Sequence, residues 1–196
     1  MSELRSQTNS STADPSASRK DPAAGRVILE AAGIRRATTR MAHEILERNP
    51  AAESIALVAI IRGGVPVADM LAGALREIVG REIPQGALDV TLYRDDVIGH
   101  GMRPIPHKTR MPFSIAGKRV VLVEDVVFTG RTVRAAMDAV IDFGRPEAIQ
   151  VATLVDRGHR ELPIRVDFVG KNIPTSRAER VLLRCDAAGA YEVAVL

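Results

Sequence analysis

Two adjacent carboxylates, Glu124 and Asp125, stand just ahead of a Thr129-Gly130-Arg131-Thr132 turn in the stretch VVLVEDVVFTGRT at 120–132. A Thr-Gly-Arg-Thr turn that opens a helix offers backbone N–H groups and hydroxyls where the helix dipole favours an anion. An acid pair placed just before such a cradle suits a phosphorylated sugar, its hydroxyls facing the acids and its phosphate seated in the turn. The GxxxxGK[ST] spacing of a Walker A loop, with its lysine, is absent. An ordinary strand–turn–helix with incidental acids is the competing reading.

The elements that would position these groups follow from hydrophobic periodicity. Val120 to Val123 read as a buried parallel strand, and Arg134, Met137, Val140 and Ile141 mark the helix after it. The acids then lie at the carboxyl end of a strand, where open α/β sheets bind their ligands. Upstream, a helix is expected from Ala32 to Arg48, with Ile34, Thr38, Met41 and Ile45 on one face and Arg36, Arg40, His43 and Glu47 on the other. A strand at Ile55 to Ile61 ends at Arg62-Gly63-Gly64 and passes into a helix around Val67 to Val79. Another strand at Leu88 to Leu92 leads into Tyr93-Arg94-Asp95-Asp96, a group that a lid or a solvated turn would equally explain. Residues 97–110 mix Gly, Pro and basic residues without period, so about 94–110 read as a lid. A strand near Ile149 to Val155 and a final pair near Val181 to Leu183 and Tyr191 to Val195 complete the pattern. Strands alternating with helices predict an α/β fold, a doubly wound and mostly parallel sheet. Residues 1–25, rich in Ser, Thr, Ala and Pro, read as a disordered tail ahead of one domain at 26–196.

Composition narrows the function classes. With 46% hydrophobic and 26% charged residues among 196, the chain is of the globular class and long enough for a sizeable core. No apolar stretch approaches the ~20 residues of a membrane span, and the N-terminus lacks a signal-peptide core. The single cysteine, Cys185, excludes an intramolecular disulfide and a Cys-rich zinc site, so a cytoplasmic protein is expected; in its VLLRC setting it reads as a small buried side chain. A net charge of +3 and 3% aromatics without Trp argue against a base-stacking platform. Nucleic acid would need a local patch, for which Arg36, Thr39, Arg40 and His43 on the first helix and His159, Arg160, Arg165 and Lys171 downstream supply basic groups. By themselves these residues are equally well a solvated basic face.

The 120–132 segment resembles the 5-phosphoribosyl-1-pyrophosphate (PRPP) motif of type I phosphoribosyltransferases. Together with RRATTRMAHEILERN at 35–49, LDVTLYRDD at 88–96, VDRGHRELPIR at 155–165 and VGKNIPTSRAE at 169–179, it resembles the PyrR family of bacterial pyrimidine-operon regulators over roughly residues 33–185. That resemblance implies the type I phosphoribosyltransferase sheet with a small C-terminal hood at about 156–180. It also implies two activities: uracil phosphoribosyl transfer (uracil and PRPP to UMP and pyrophosphate), and attenuation of transcription through binding of pyrimidine-operon leader mRNA, dependent on UMP or UTP. The implied catalytic residues are Glu124, Asp125 and Arg94. The implied PRPP/UMP segment is Val120, Val121, Leu122, Val123, Glu124, Asp125, Val126, Val127, Phe128, Thr129, Gly130, Arg131 and Thr132. Arg62, Gly63 and Gly64 would meet pyrophosphate, and Val155, Asp156 and Arg157 would meet uracil from the hood. Mg²⁺ would arrive with PRPP, held by the substrate's oxygens and by no direct protein site. Thr39, Arg40, His43, His159, Arg160, Arg165 and Lys171 would meet the leader hairpin, on a homodimer or higher homo-oligomer with no membrane partner.

Two positions depart from the family pattern. Glu124-Asp125 stands where the family usually carries Asp-Asp, and Arg62-Gly63-Gly64 replaces its usual Thr-Arg-Gly, moving the basic residue back by one. The Gly-Gly loop leaves a transferase for another nucleobase open, as well as an RNA-binding regulator with little or no catalysis.

Overall fold

Strands that are apolar on both faces need cover on both, and this requirement sets the architecture. The computed structural model describes residues 25–61, 63–95 and 108–196. Its main sheet has five parallel strands in the order β3-β2-β4-β5-β6, where β2 is Ile55–Ile60, β3 Gln85–Leu88, β4 Arg119–Val127, β5 Ala148–Asp156 and β6 Phe168–Asn172. Helices α1 (Ala31–Arg48) and α2 (Gly64–Val79) pack Met41, Ile45, Leu71 and Leu75 against Leu57, Val121 and Val123 on one face. Helix α3 (Arg131–Ile141) packs Ala135, Ala136, Ala139 and Val140 against Val58, Val120 and Leu122 on the other. Because alternate residues of a strand point to opposite faces, odd and even positions of β4 feed different cores, and the sheet is doubly wound as expected. The first helix buries Ile34, Thr38, Met41 and Ile45 and exposes Arg36, Arg40, His43 and Glu47, matching its period.

A second, three-stranded antiparallel sheet joins β1 (Arg26–Leu29), β8 (Tyr191–Val195) and β7 (Val181–Cys185) in the order β1-β8-β7. The first strand gave no signal in the sequence: four residues are too few to show a period, and its partner lies at the far end of the chain, Arg26 opposite Val195. Among the described residues no helix is long and apolar enough to cross a membrane.

Four expectations need correction. The third strand ends at Leu88 rather than beginning there; Asp89 then accepts from the Thr91 N–H (2.9 Å) and hydroxyl (2.5 Å), a local turn that stops the strand. The buried stripe of α3 is Val133, Ala135, Ala136, Ala139 and Val140, while Ile141 is exposed, because small alanines rather than large residues seat this helix on the sheet. Cys185 is exposed, being the last residue of β7 before the Asp186–Gly189 turn. Finally, Phe168–Asn172, inside the expected hood, adds the fifth strand of the main sheet. The expected tail, apart from Gly25, and the lid at 96–107 lie outside the described residues.

Candidate active site

Strand β4 runs beyond its apolar core to Val127, so Glu124 and Asp125 belong to its carboxyl-terminal end and project to opposite sides. Glu124 is only 8% exposed. Burial, reinforced by the negative charge of Asp125, pushes its carboxyl up to about 8, against the pull of Arg94, the Thr132 hydroxyl and Arg160. The Thr132 hydroxyl donates to Glu124 and accepts from Arg94 Nη1 at 3.2 Å, so the arginine at the root of the expected lid reaches the acid through the turn. Asp125 is also shifted upward by burial, an effect reduced by its own N–H and that of Val126.

Gly63 and Gly64 stand where the chain passes close to β4. A Cβ on Gly63 would lie 2.2 Å from the Asp125 carboxyl carbon, and one on Gly64 would lie 2.2 Å from the Val123 carbonyl oxygen. The turn between β2 and α2 is pressed onto β4 at a distance only glycine allows, with the Asp125 carboxylate in the space a side chain would fill. Arg62 lies outside the described residues.

Beyond the acids the chain turns at Gly130, whose φ of +91° is left-handed, and α3 begins at Arg131. The turn, Val126, Phe128 and the charged groups Arg94, Glu124 and Glu161 enclose a cavity of about 430 Å³. Arg131 reaches across its mouth to Asp95 (2.7 Å) and Glu161 (3.1 Å). Asp95, half of an acid pair that a solvated turn would explain, thus has an ion-pair partner.

A second cavity, about 510 Å³, lies between Asp156–His159 and Asn172–Thr175. Phe128 connects the two: the Arg157 guanidinium lies over its ring at 4.2 Å, and the His159 ring meets its edge with centroids 5.7 Å apart. Arg157 also donates to the Thr175 hydroxyl (3.1 Å) and the Ser176 carbonyl (2.6 Å), and burial lowers its pKa. His159 adopts a left-handed φ of +61°, its Nε2 2.6 Å from the Thr175 carbonyl.

Several expected contacts are structural. Val120, Val121, Leu122 and Val123 are fully buried in the two helix-covered cores and carry the acids rather than touching a ligand; Val127 and Val155 are buried likewise. The expected RNA residues fall into two groups. Thr39, Arg40, His43 and Lys171 lie on α1 and β6, where Arg40 donates to the Val169 (3.0 Å) and Gly170 (2.7 Å) carbonyls. His159 and Arg160 sit beside the Gly130 turn, Arg160 paired with Asp156 at 2.5 Å, while Arg165 is exposed on the loop before β6. Sequence reasoning passed over Glu161 and over Asn172–Thr175, although both lie in the DRGHRELP and GKNIPTS strings. Among the described residues no group of three or more His, Cys, Asp or Glu could cage a metal ion.

Residues 27–182 match the phosphoribosyl transferase domain family, and the chain belongs to it. Within that family it is similar to the bifunctional protein PyrR of Geobacter sp. strain M21, at 58% identity over 82% of this chain and 91% of that one. Its likeness to the bifunctional protein PyrR of Roseiflexus sp. strain RS-1 is 60% identity over 80% of this chain and 86% of that one. The fold is similar to the crystal structure of the hypoxanthine phosphoribosyltransferase of Trypanosoma cruzi, with a TM-score of 0.64 at 22% identity over 87% and 95% of the two chains.

Proposed function

We propose that this protein is a bifunctional pyrimidine regulator: it converts uracil and PRPP to UMP and pyrophosphate, and it binds pyrimidine-operon leader mRNA when a uridine nucleotide is present. The observation that carries the catalytic half is the acid pair at the carboxyl-terminal end of β4, directly ahead of the left-handed Gly130 turn and its cavity. In the reaction the C1–oxygen bond to pyrophosphate breaks and a C1–N1 bond to uracil forms as uracil loses its N1 proton. Positive charge develops at the ribosyl carbon, so the protein's task is placement and electrostatics. Glu124 and Asp125 hold the ribose hydroxyls, and Thr129 to Thr132 hold the 5′-phosphate. Phe128 and Arg157 separate the phosphate cavity from the second cavity, where Asp156 and the Asn172–Thr175 backbone meet the nucleobase. Arg94, fastened through Thr132, closes over the reacting centre and excludes water.

Mg²⁺ fits this arrangement as a companion of the substrate. Two carboxylates, Glu124 and Glu161, border the cavity, too few for a protein cage, so PRPP oxygens would supply most of the ion's ligands, with Asp125 next along β4. When bound, the ion would supply positive charge to offset the negative charge of the departing pyrophosphate.

The RNA-binding half rests on the exposed residues Thr39, Arg40 and His43 of α1 beside Lys171 of β6, with Arg165 nearby in sequence. Arginine suits phosphates and guanine edges, and a hairpin loop offers unstacked bases. A homodimer would join two such faces into a surface long enough for a hairpin, and the work belongs in the cytoplasm. The direct test is pyrophosphate release that depends on uracil, PRPP and Mg²⁺ together. Release is expected with uracil and not with hypoxanthine or guanine; a purine preference, or no release at all, would overturn the catalytic assignment.

A further inference from the structure

The carbonyls of Val127, the last residue of β4, and of Phe128 and Thr129 after it are all engaged by one short segment. Val127 O accepts from the Arg157 N–H at 3.2 Å, and Phe128 O accepts from Arg160 Nη1 at 2.7 Å. Thr129 O accepts from the Glu161 N–H at 3.0 Å. Glu161 continues the pattern through its side chain, which holds Arg131 Nε at 3.1 Å and Arg177 Nη1 at 3.2 Å. Arg160 is itself fixed by Asp156 at 2.5 Å and by the Ile164 carbonyl at 3.3 Å. A Cβ on Gly130 would lie 3.1 Å from Ile164 Cβ, so the segment packs directly on that bare Cα.

In a trans peptide the N–H of each residue points opposite to the preceding carbonyl. Fastening the Val127, Phe128 and Thr129 carbonyls to residues 157–161 therefore turns the N–H groups of Phe128, Thr129 and Gly130 the other way. We propose that Arg160 and Glu161 are positioning residues that aim the turn's amides at the substrate's 5′-phosphate.

The arrangement has a physical rationale. Amides pointed at one locus repel one another until an anion arrives, and a loop left free would rotate them apart. Taking up their carbonyls from behind fixes the cradle before the phosphate binds. It also places Arg160 close enough to Glu124 to favour that acid's ionised form. Arg131, engaged by Asp95 and Glu161, becomes a strut across the cavity's mouth, which leaves the amides and threonine hydroxyls as the phosphate's main partners.

This inference rests on the phosphoribosyl-transfer reading, and its test separates the two. Bind Mg²⁺–PRPP and, separately, uracil with UMP formation to wild type, Arg160→Ala, Arg160→Lys and Glu161→Gln, using calorimetry and steady-state kinetics on the full chain. Thermal melting would confirm folding. Arg160→Ala is expected to weaken PRPP binding and raise its KM by at least about tenfold, with the uracil KM within about twofold. Arg160→Lys, which can still donate to Phe128 O but cannot fork to Asp156, should recover part of the loss, and carries the test alone if Arg160→Ala does not fold. Glu161→Gln keeps its backbone bond and should show a smaller loss in the same parameter. Unchanged PRPP affinity in folded Arg160→Ala or Arg160→Lys would overturn the proposal. Failure of the wild type itself to bind PRPP would instead sink the transferase reading.

Discussion

The phosphate turn and the basic face of α1 place cationic groups on the surface in opposite ways. At the turn, Arg160 is about four-fifths buried, its guanidinium fully engaged by a carbonyl ladder and Asp156, and the neighbouring Glu124 is held largely protonated near neutrality. On α1, Arg40 is about half exposed and merely rests on the β6 carbonyls and Glu44, with His43 and Thr39 open to solvent. The first region has few free rotamers, so each interaction there is strong and each loss abrupt. The second can rearrange around a flexible partner, and its losses are graded and screened by salt. Basic residues of one composition can thus serve either a fixed cradle or an adaptable surface, and only their hydrogen-bond partners tell which.

The sharpest break should come at the acids. Asp125→Asn is expected to cut uracil phosphoribosyltransferase turnover by about 10²-fold or more, the usual scale for one lost transition-state contact. Circular dichroism should remain native, and near-normal turnover in that state would remove Asp125 from the ribose. The next effect should follow from the Gly63 contact. Gly63→Ala would drive its methyl into the Asp125 carboxylate and should raise the PRPP KM on the order of tenfold. The uracil KM should be largely spared, and equal shifts in both would place the fault in folding. By the same contact, a Gly63→Arg swap toward the family's usual pattern is tolerated only if Asp125 moves.

A subtler difference should appear in stability. Glu124 titrates near 4.5 in the unfolded chain and at about 8 in the fold, so the folded state holds the extra proton between those values. Stability is therefore lost as pH rises through that window, and more of it is lost by pH 9 than at pH 6. Glu124→Gln removes the titration, so its melting temperature relative to wild type should climb across the same range; a pH-independent offset would place the acid in a solvated setting. The smallest effect should come from the exposed face. Arg40→Ala should weaken leader-hairpin binding, lower its salt slope by a little under about one unit, and leave PRPP affinity alone. A nucleotide-independent response, with an unchanged slope, would make α1 a solvated face and nothing more.

Much of this layout is legible in the sequence because it follows local rules. The apolar runs at 55–60 and 120–123 and the helical period of 32–48 need no knowledge of partners, and the acid pair before Thr-Gly-Arg-Thr announces itself by spacing. What escaped depends on contacts distant in sequence. Arg160 and Glu161 gain their roles only when β5 brings residues 157–161 back over the end of β4, and no period in HRELP encodes that. The close packing of Gly63 on the Asp125 carboxylate likewise joins residues far apart in sequence. The alanine stripe of α3 was hidden because alanine is equally at home on exposed and buried helix faces.

The pairing of Arg26–Leu29 with Val193–Val195 has a consequence in time as well as space. During synthesis β2, β3, β4 and β5 can assemble as their helices emerge, since each crossover closes within a short span of chain. Strand β1, made before all of them, must wait for β8, which leaves the ribosome after every other strand described here. The small sheet is therefore the last cooperative unit to form, since it joins the first and last strands of the domain to emerge. Until then the earliest four residues of the fold are an unpaired edge in search of a partner.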